Sequence, residues 1–243
     1  MKNRQTKLIV NMDAIIQNYK KIQELQPDKK ILPVLKAGGY GIGLEAINKL
    51  IKALNIDALG TAIVDEGIAL RDKLKYNGEI IVLNQPAIEE IENIIKYDIT
   101  TSCCYIEFLE ELNRIAKASG KIAKVHVEIE TGMGRTGVQL VNLEKFIEKA
   151  IQLKNIKIEG TFSHFSLAFY KKDKYTKKQF QRFIDVIEIL KKNKIEPGML
   201  HICNSSAFLK FPNMHLNAVR IGSAFLGRIL VPNTIGLRKI GYL

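Results

Sequence analysis

The chain has 243 residues, of which 47% are hydrophobic, and it carries a formal net charge of +12 at pH 7. This composition is typical of a globular domain, and it excludes a disordered chain, a collagen-like repeat and a disulfide-stapled scaffold. No apolar run reaches the roughly 18 residues that a membrane-spanning helix needs, and the polar N-terminus does not resemble a signal peptide, so we expect a cytoplasmic protein without membrane partners.

Short apolar runs alternate with segments of helical periodicity along almost the whole chain. The pattern predicts an opening strand near Lys7 to Val10 and a helix from Met12 to Leu25. Eight further strands are predicted at Ile31 to Leu35, Ala58 to Ile63, Ile80 to Leu83, Ile99 to Ser102, Lys124 to Ile129, Ile156 to Phe162, Leu200 to Cys203 and Leu216 to Ile221. Helices are predicted between them at Gly43 to Leu54, Ile88 to Tyr97, Ile106 to Ala118, Leu143 to Leu153 and Gln179 to Leu190.

This alternation predicts the fold class. Strands that alternate with helices form a parallel α/β sheet, and eight such units predict closure into a (β/α)8 TIM-type barrel over residues 1–230. The main alternative, an open doubly wound sheet, usually has fewer strands. Residues 231–243 contain Pro232 and Gly236 and end in a strand-like run. We interpret them as a linker and the start of a truncated C-terminal β domain.

Two strand ends carry candidate catalytic groups, because barrel enzymes place their chemistry at the C-terminal ends of the strands. The first strand ends at Lys36, and four glycines follow within residues 38–43. An amine at the end of an apolar strand can be desolvated, which lowers its pKa and makes it nucleophilic toward a carbonyl; a surface lysine is the alternative. The fifth strand leads to Arg135, which lies among three glycines and can hold its guanidinium over an anion, unless the segment is only a turn.

The last three strands also end in polar side chains. His164 follows the sixth strand, where a histidine buried in the core is the alternative. Asn204 and Ser205 follow the seventh, where an N-cap explains Ser205 as well as phosphate binding does. Arg220 in the eighth strand is costly to bury, so we expect a ligand or an acidic neighbour beside it. The three cysteines lack the spacing of a zinc site, and we expect no metal.

The motifs at these strand ends resemble, in order and spacing, those of alanine racemases, over the chain from about Lys7 to Arg228. They are Lys36-Ala37-Gly38-Gly39-Tyr40-Gly41, Glu130-Thr131-Gly132-Met133-Gly134-Arg135-Thr136-Gly137, Thr161-Phe162-Ser163-His164-Phe165, Asn204-Ser205 and Arg220-Ile221-Gly222. The resemblance implies pyridoxal 5'-phosphate (PLP) as the cofactor, with Lys36 forming the Schiff base. It also implies that Lys36, Arg135 and His164 are catalytic. Besides Lys36 and Arg135, the residues implied to bind the cofactor are Tyr40, Asn204, Ser205, Arg220, Gly222 and Ser223.

Some positions depart from the family pattern. Relatives usually carry Asn-Ala at Gly38-Gly39 and His at Ile42, and these changes loosen the first loop without removing a catalytic group. The resemblance implies a racemase that interconverts L- and D-alanine, or a similar small amino acid, by proton transfer at Cα between two bases. The resemblance also implies that the second base is a tyrosine from the C-terminal domain of the partner in a homodimer, so we expect this chain alone to racemise alanine poorly.

Two other functions remain open on the sequence. Some single-domain barrels of this length bind PLP as carriers without racemase activity, and this is the main alternative. A basic nucleic-acid binder ranks last, because the basic residues are scattered and no recognised nucleic-acid motif is present. The net positive charge does favour anionic small ligands such as phosphates.

The fifth strand yields one further hypothesis. Its residues alternate between a polar row and an apolar row, namely His126, Glu128 and Glu130 against Val125, Val127 and Ile129. In a closed barrel the apolar row should pack on the helices and the polar row should point inward. Glu128 then lies within reach of Arg135, where some relatives have a lysine that becomes a carboxylate by carbamylation. We predict that Glu128 supplies this counter-charge, against the alternative of a partly solvated glutamate.

Overall fold

Eight short parallel strands form the centre of the structure, a computed structural model that describes residues 6–228. Their bounds are β1 (Lys30–Pro33), β2 (Ala58–Thr61), β3 (Glu79–Val82), β4 (Thr100–Cys103), β5 (Ala123–Glu128), β6 (Ile156–Phe162), β7 (Met199–His201) and β8 (Ala218–Ile221). Each strand pairs with its sequence neighbour, and β1 pairs with β8. A bridge between Val34 and Gly60 joins β1 to β2 and closes the ring. The chain is a (β/α)8 barrel, as the sequence predicts.

Helices cover the outside of the ring. They are α1 (Met12–Leu25), α2 (Lys36–Tyr40), α3 (Leu44–Leu54), α4 (Val64–Leu74), α5 (Ile91–Lys96), α6 (Ile106–Ala118), α7 (Leu143–Ala150), α8 (Lys174–Lys192) and α9 (Ser205–Lys210). The longer ones are amphipathic, and α1 illustrates the pattern by burying Ile15, Tyr19 and Ile22 on one face. Asn11 begins α1, because its side chain accepts a hydrogen bond from the backbone N–H of Ala14 at 3.1 Å.

Two elements differ from the sequence prediction. Lys7 to Val10 form no strand, and Leu8 and Ile9 are exposed, because the closed ring of eight strands offers them no free edge. Helix α4 was not predicted, since Gly67 interrupts its apolar face. A Cβ at Gly67 would come within 2.9 Å of the Ile99 side chain, so close packing requires this glycine.

The interior of the barrel holds both apolar and polar side chains. Leu32, Ala58 and Ile81 form a small apolar cluster, and His126, His201 and Arg220 are also buried. These are inward-facing strand residues, and the opposite faces of the same strands join the larger core with the helices. In β5, Val125 and Val127 pack in that outer core, which confirms the predicted alternation. The barrel therefore holds three ionisable side chains, His126, His201 and Arg220, inside the ring.

Three further sequence predictions concern membrane-spanning helices, metal sites and residues 231–243. Within residues 6–228, no helix is both long and apolar enough to cross a membrane. The same range contains no group of three or more residues suited to hold a metal ion. The predicted linker and start of a second domain, residues 231–243, lie outside the described residues.

Candidate active site

A cavity of about 290 Å³ collects the residues that follow the strands. Eight of the nine cofactor-binding or catalytic residues predicted from the sequence line it, namely Lys36, Tyr40, Arg135, His164, Asn204, Ser205, Arg220 and Ser223. The ninth, Gly222, lies directly behind the Tyr40 ring. The structure thus brings together side chains that the sequence separates by up to 187 positions (Lys36 to Ser223).

The charged side chains that line this cavity have one sign. Lys36, Arg135 and Arg220 contribute three cationic side chains, and none of the described residues that line the cavity is an aspartate or a glutamate. Cationic groups gathered in one cavity repel one another and favour an anionic occupant. The site is therefore suited to a ligand that carries phosphate or carboxylate groups.

The turn that carries Lys36 has an unusual backbone. Ala37, Gly38, Gly39 and Tyr40 all have positive φ, between 51° and 67°, so α2 is a single left-handed turn. Glycine adopts this conformation freely, whereas Ala37 and Tyr40 adopt it at a steric cost. The glycines of this motif thus allow the left-handed turn that follows Lys36.

The predicted desolvation of the Lys36 amine is wrong, because Lys36 is exposed to solvent.

Tyr40, Ser205 and Gly222 form a compact cradle on one side of the cavity. A Cβ at Gly222 would lie 2.2 Å from the Tyr40 hydroxyl, so only glycine leaves room for this ring. The Ser205 hydroxyl accepts hydrogen bonds from the backbone N–H groups of Gly222, at 3.1 Å, and Ala224, at 3.4 Å. Burial, and secondarily the charge of Glu66, raises the pKa of Tyr40, so its hydroxyl remains a donor near neutral pH.

The helix after β7 begins one residue earlier than the N-cap alternative assumed. Asn204 is the N-cap of α9, since its side-chain oxygen accepts from the backbone N–H of Ala207 at 3.0 Å. Its amide nitrogen donates to the carbonyl oxygen of Phe165 at 3.3 Å. Asn204 thus links the ends of β6 and β7, and the Ser205 hydroxyl serves the segment after β8 instead of capping the helix.

Arg220 is buried and fully engaged through its terminal nitrogens. Nη1 lies 2.6 Å from His201 Nδ1 and 3.0 Å from the His201 carbonyl oxygen. Nη2 donates to the carbonyl oxygen of Ser163 at 2.7 Å and lies 3.1 Å from His164 Nδ1. The sequence predicts a ligand or an acidic neighbour beside Arg220; within residues 6–228 its direct contacts are carbonyls and imidazoles and include no acid. Burial lowers the Arg220 pKa to about 10, which still leaves it protonated near neutral pH.

These contacts decide the protonation of three histidines. A guanidinium only donates, so Nδ1 of His164 and Nδ1 of His201 are acceptors. Neutral His201 then carries its proton on Nε2 and donates to His126 Nδ1, 2.8 Å away. Burial and the charge of Arg220 lower the pKa of His164 and of His201 well below the usual value, and that of His126 to about 3. All three rings are therefore neutral near pH 7.

The loop after β5 holds Arg135 near a buried carboxylate. Arg135 Nη2 lies 3.5 Å from Glu128 Oε1, and the Glu128 side chain is only 3% exposed. Burial raises the pKa of Glu128, while the charges of Arg135 and Arg220 oppose that shift. The predicted reach between Glu128 and Arg135 is confirmed, and the contact is direct. The partly solvated glutamate of the alternative is not observed.

Glu130 differs from the prediction that it points into the barrel. Its carboxylate accepts hydrogen bonds from the backbone N–H groups of the loop that follows, including Met133 at 2.6 Å and Gly134 at 2.7 Å. The reason is that β5 ends at Glu128. Beyond that residue the chain turns, and the unpaired amides of the turn attract the nearest carboxylate. Glu130 therefore shapes the loop that presents Arg135.

Several cavity residues were not predicted from the sequence. Thr61 ends β2 and Asn84 follows β3, and both line the cavity beside the aromatic residues Phe165 and Phe169. The rule that all strand ends of a barrel meet could have identified Thr61 and Asn84, although neither is charged. His201 and its contact with Arg220 carried no local signal, since the two residues come from different strands.

Comparisons with known proteins agree with this geometry. The family described as "Alanine racemase, N-terminal domain" matches residues 10–229. Alanine racemase 2 of Caldanaerobacter subterraneus subsp. tengcongensis is 33% identical over 92% of this chain and 58% of its own length. The alanine racemase of Clostridium novyi is 36% identical over 90% of this chain and 56% of its own length. The chain thus spans somewhat more than half the length of the curated relatives it matches.

Solved structures show the same relationship. Alanine racemase of Clostridium difficile 630 superposes with a TM-score of 0.88 at 32% identity, covering 96% of this chain and 61% of that one. Alanine racemase of Bacillus anthracis with bound L-Ala-P superposes with a TM-score of 0.85 at 28% identity, covering 94% of this chain and 58% of that one. The barrel, the residues at its strand ends and these matches show that the chain belongs to the family of alanine racemase N-terminal domains.

Proposed function

We propose that the chain is the PLP-binding part of a racemase that interconverts the L and D forms of alanine or of a similarly small amino acid. The observation that carries the proposal is the shared cavity of Lys36, Arg135 and Arg220, which contains no acid among its described lining residues. PLP brings a phosphate, a phenolate oxygen and an aldehyde to such a site, and when bound it makes the amino-acid Cα proton acidic. Family membership supports the same assignment.

The residues present fit this cofactor. Tyr40, Ser205, Gly222 and Ser223 would hold the phosphate, because the Tyr40 and Ser205 hydroxyls and the backbone at Gly222 meet in one cradle. A cradle of hydroxyl and backbone N–H groups suits phosphate oxygens. Asn204 supports this side of the site as the N-cap of α9.

The two arginines would orient the remaining polar atoms of the cofactor. Arg135 would contact the phenolate oxygen, and the nearby carboxylate of Glu128 holds its guanidinium in place. Arg220 would face the ring nitrogen with its Nε–H group, because the hydrogen bonds that Arg220 makes to described residues use only Nη1 and Nη2. An arginine stays protonated, so it donates to the ring nitrogen and leaves that nitrogen unprotonated. Such a site limits electron withdrawal and disfavours side reactions such as transamination.

Proton movement is assigned to Lys36 on one face of the amino acid. Its amine would hold the cofactor through the aldehyde, and the same amine would take or return the proton at Cα on that face. Neutral His164 would keep Arg220 aligned from the side opposite His201. The second base is proposed to be a tyrosine of the partner subunit's C-terminal domain. Exposed Leu167, Phe169 and Tyr170 beside the cavity support coverage by a second subunit in a homodimer.

A reducing compartment suits the cysteines of the described chain. Cys103, Cys104 and Cys203 are all buried and free. Free thiols of this kind are usual in proteins of the cytosol, where disulfides are rare. The proposed location is therefore the cytoplasm.

The Schiff base can be tested directly. Purified protein mixed with PLP should develop a Schiff-base absorption band, and borohydride should fix the label onto Lys36, as shown by peptide mapping. Lys36→Ala should abolish the label, because no other amine is placed at the cavity by the described residues. Lys49→Ala is the matched control, since Lys49 is an exposed lysine on α3 that pairs with Glu45. A label on another lysine, or none in the wild type, would contradict the assignment.

A second experiment separates the racemase from a PLP carrier. The PLP-loaded chain is incubated with L- or D-alanine in D2O, and deuterium at Cα is followed by NMR. A racemase site with Lys36 as a base on one face should exchange the Cα proton of one enantiomer, and Lys36→Ala should not. A PLP carrier is not expected to catalyse exchange of the Cα proton. Absence of deuterium at Cα with both enantiomers would therefore favour the carrier. The placement of Arg135 and Arg220 favours the racemase.

A further inference from the structure

Glu66 connects the turn that carries Lys36 to the loop after β2. Its Oε2 accepts hydrogen bonds from the backbone N–H groups of Ala62, at 2.8 Å, and Ile63, at 3.4 Å. Its Oε1 accepts from the backbone N–H of Ala37 at 2.5 Å. Ala37 directly follows Lys36. One carboxylate thus joins two loops whose contacting residues, Ala37 and Ala62, lie 25 positions apart along the chain.

The turn at Ala37 needs such an external contact. Ala37 and Tyr40 are the two non-glycine residues of the left-handed turn, with φ of 51° and 59°. Both pay a steric cost in this conformation, so the turn persists only if surrounding contacts hold it. The direction of the Lys36 side chain follows from the backbone at this point. Relaxation of the turn would therefore move the amine away from the cavity.

Only a carboxylate of this length serves both loops. Ionised Glu66 offers acceptors on two oxygens, and the three backbone groups that face it are all donors. A glutamine has one acceptor oxygen, and its NH2 group would meet donors on the other side. An aspartate is one methylene shorter and cannot reach Ala37 from the first turn of α4.

We infer that Glu66 is a positioning residue for Lys36, which rests on the proposed function in which Lys36 reacts with the cofactor aldehyde. Glu66 does not line the cavity that contains Lys36. It acts through Ala37, next to Lys36, and through Ala62, which lines the cavity. The charge-assisted hydrogen bonds of Glu66 fix the position of the Lys36 turn relative to the loop that contains Ala62.

Glu90 provides a matched control. It stands at the third residue of its helical segment, as Glu66 does, and accepts a hydrogen bond from the backbone N–H of Ala87 at 2.8 Å. Glu90→Gln therefore removes a similar cap that makes no contact with α2. Both substitutions remove a cap, but Glu66→Gln also weakens the contact with Ala37, so we expect it to lower thermal stability by more than Glu90→Gln does.

Amide hydrogen exchange of the protein without PLP tests the contact independently of the cofactor. Glu66→Gln should speed exchange at Ala37 and through residues 38–43 by roughly tenfold or more, the effect of losing a hydrogen bond to a charged group. Glu90→Gln should leave that segment unchanged. Glu66→Asp should retain protection at Ile63 and lose it at Ala37. Unchanged exchange at Ala37 in both Glu66 variants would overturn the inference.

Labelling then tests the consequence for Lys36. In Glu66→Gln the rate at which PLP and borohydride label Lys36 should fall by about fivefold, while Glu90→Gln should match the wild type. Equal rates in Glu66→Gln and in the wild type would overturn the positioning role. If the wild type itself takes no label, the proposed function fails, while the exchange experiment still decides whether Glu66 holds the turn.

Discussion

Replacing Glu128 by glutamine removes the counter-charge of Arg135 and keeps the side-chain shape. Glu128 is buried in β5, and its Oε1 lies 3.5 Å from Arg135 Nη2. The variant leaves the guanidinium free to leave the cavity, because an uncharged amide attracts it less strongly. We expect weaker PLP binding without loss of the barrel, since the substitution also removes a buried charge that is costly to desolvate.

The structure sets the size of the effect. Two unit charges 3.5 Å apart attract one another by about 5 kcal/mol at an effective dielectric constant of about 20. The Arg135 side chain is 43% exposed, so solvent screens much of this attraction. A net loss of roughly 1 to 2 kcal/mol remains, between the values typical of exposed and of buried pairs. This loss corresponds to about a 5- to 30-fold weaker affinity for PLP.

The assay combines PLP titration with unfolding at several pH values. Burial raises the pKa of folded Glu128 above its unfolded value, so this residue stabilises the fold at low pH and loses that contribution as the pH rises through the folded pKa. Glu128→Gln has no such titration. The free energy of unfolding of the variant, relative to the wild type, should therefore increase from pH 4 to pH 8, while PLP affinity falls at pH 8.

A double-mutant cycle with Arg135→Gln provides the decisive comparison. If Glu128 acts through Arg135, the two substitutions should couple by roughly 1 to 2 kcal/mol in PLP binding, because either one removes the same ion pair. Effects that add within about 0.5 kcal/mol would refute the reasoning. Unchanged PLP affinity in Glu128→Gln alone would also refute it.

Three further predictions concern neighbouring groups. Gly222→Ala should cost roughly 1 to 3 kcal/mol of stability and weaken PLP binding, because the new Cβ meets the Tyr40 hydroxyl at 2.2 Å; if adding Tyr40→Ala does not restore the melting temperature, this explanation is wrong. Burial lowers the pKa of His126 to about 3, so this residue binds a proton on unfolding, and the free energy of unfolding decreases as the pH falls below the pKa of the unfolded histidine. His126→Gln should therefore reduce the slope of the unfolding free energy between pH 4 and 6 by about 1.4 kcal/mol per pH unit. An identical slope in urea titrations would contradict this. Glu130→Gln should speed amide exchange at residues 132–135, since the carboxylate accepts from that backbone; unchanged exchange there would exclude its role in the loop.

The barrel could be predicted because the residue pattern of each strand and helix is visible within a short stretch of the sequence. Each strand is a short apolar run, and each main helix has a periodic apolar face, so the alternation is visible without any tertiary contact. The strand ends then follow from topology, since parallel strands place their C-terminal ends at one edge. This is why Lys36, Arg135, His164 and Arg220 could be grouped from the sequence. Helix α4 escaped prediction because Gly67 meets a packing requirement that Ile99 and Ile80, on neighbouring segments, impose.

Contacts between distant residues were decided only by the tertiary structure. Closure of the ring places His201 beside Arg220 and His126 beside His201, and burial together with the charge of Arg220 keeps these histidines neutral. The end of β5 turns Glu130 away from the barrel, and the loop after β2 brings Glu66 to the turn of Lys36. Periodicity determines which face of an element is buried. The partner of a polar group depends on backbone turns and side-chain directions, which a pattern of residue types does not specify.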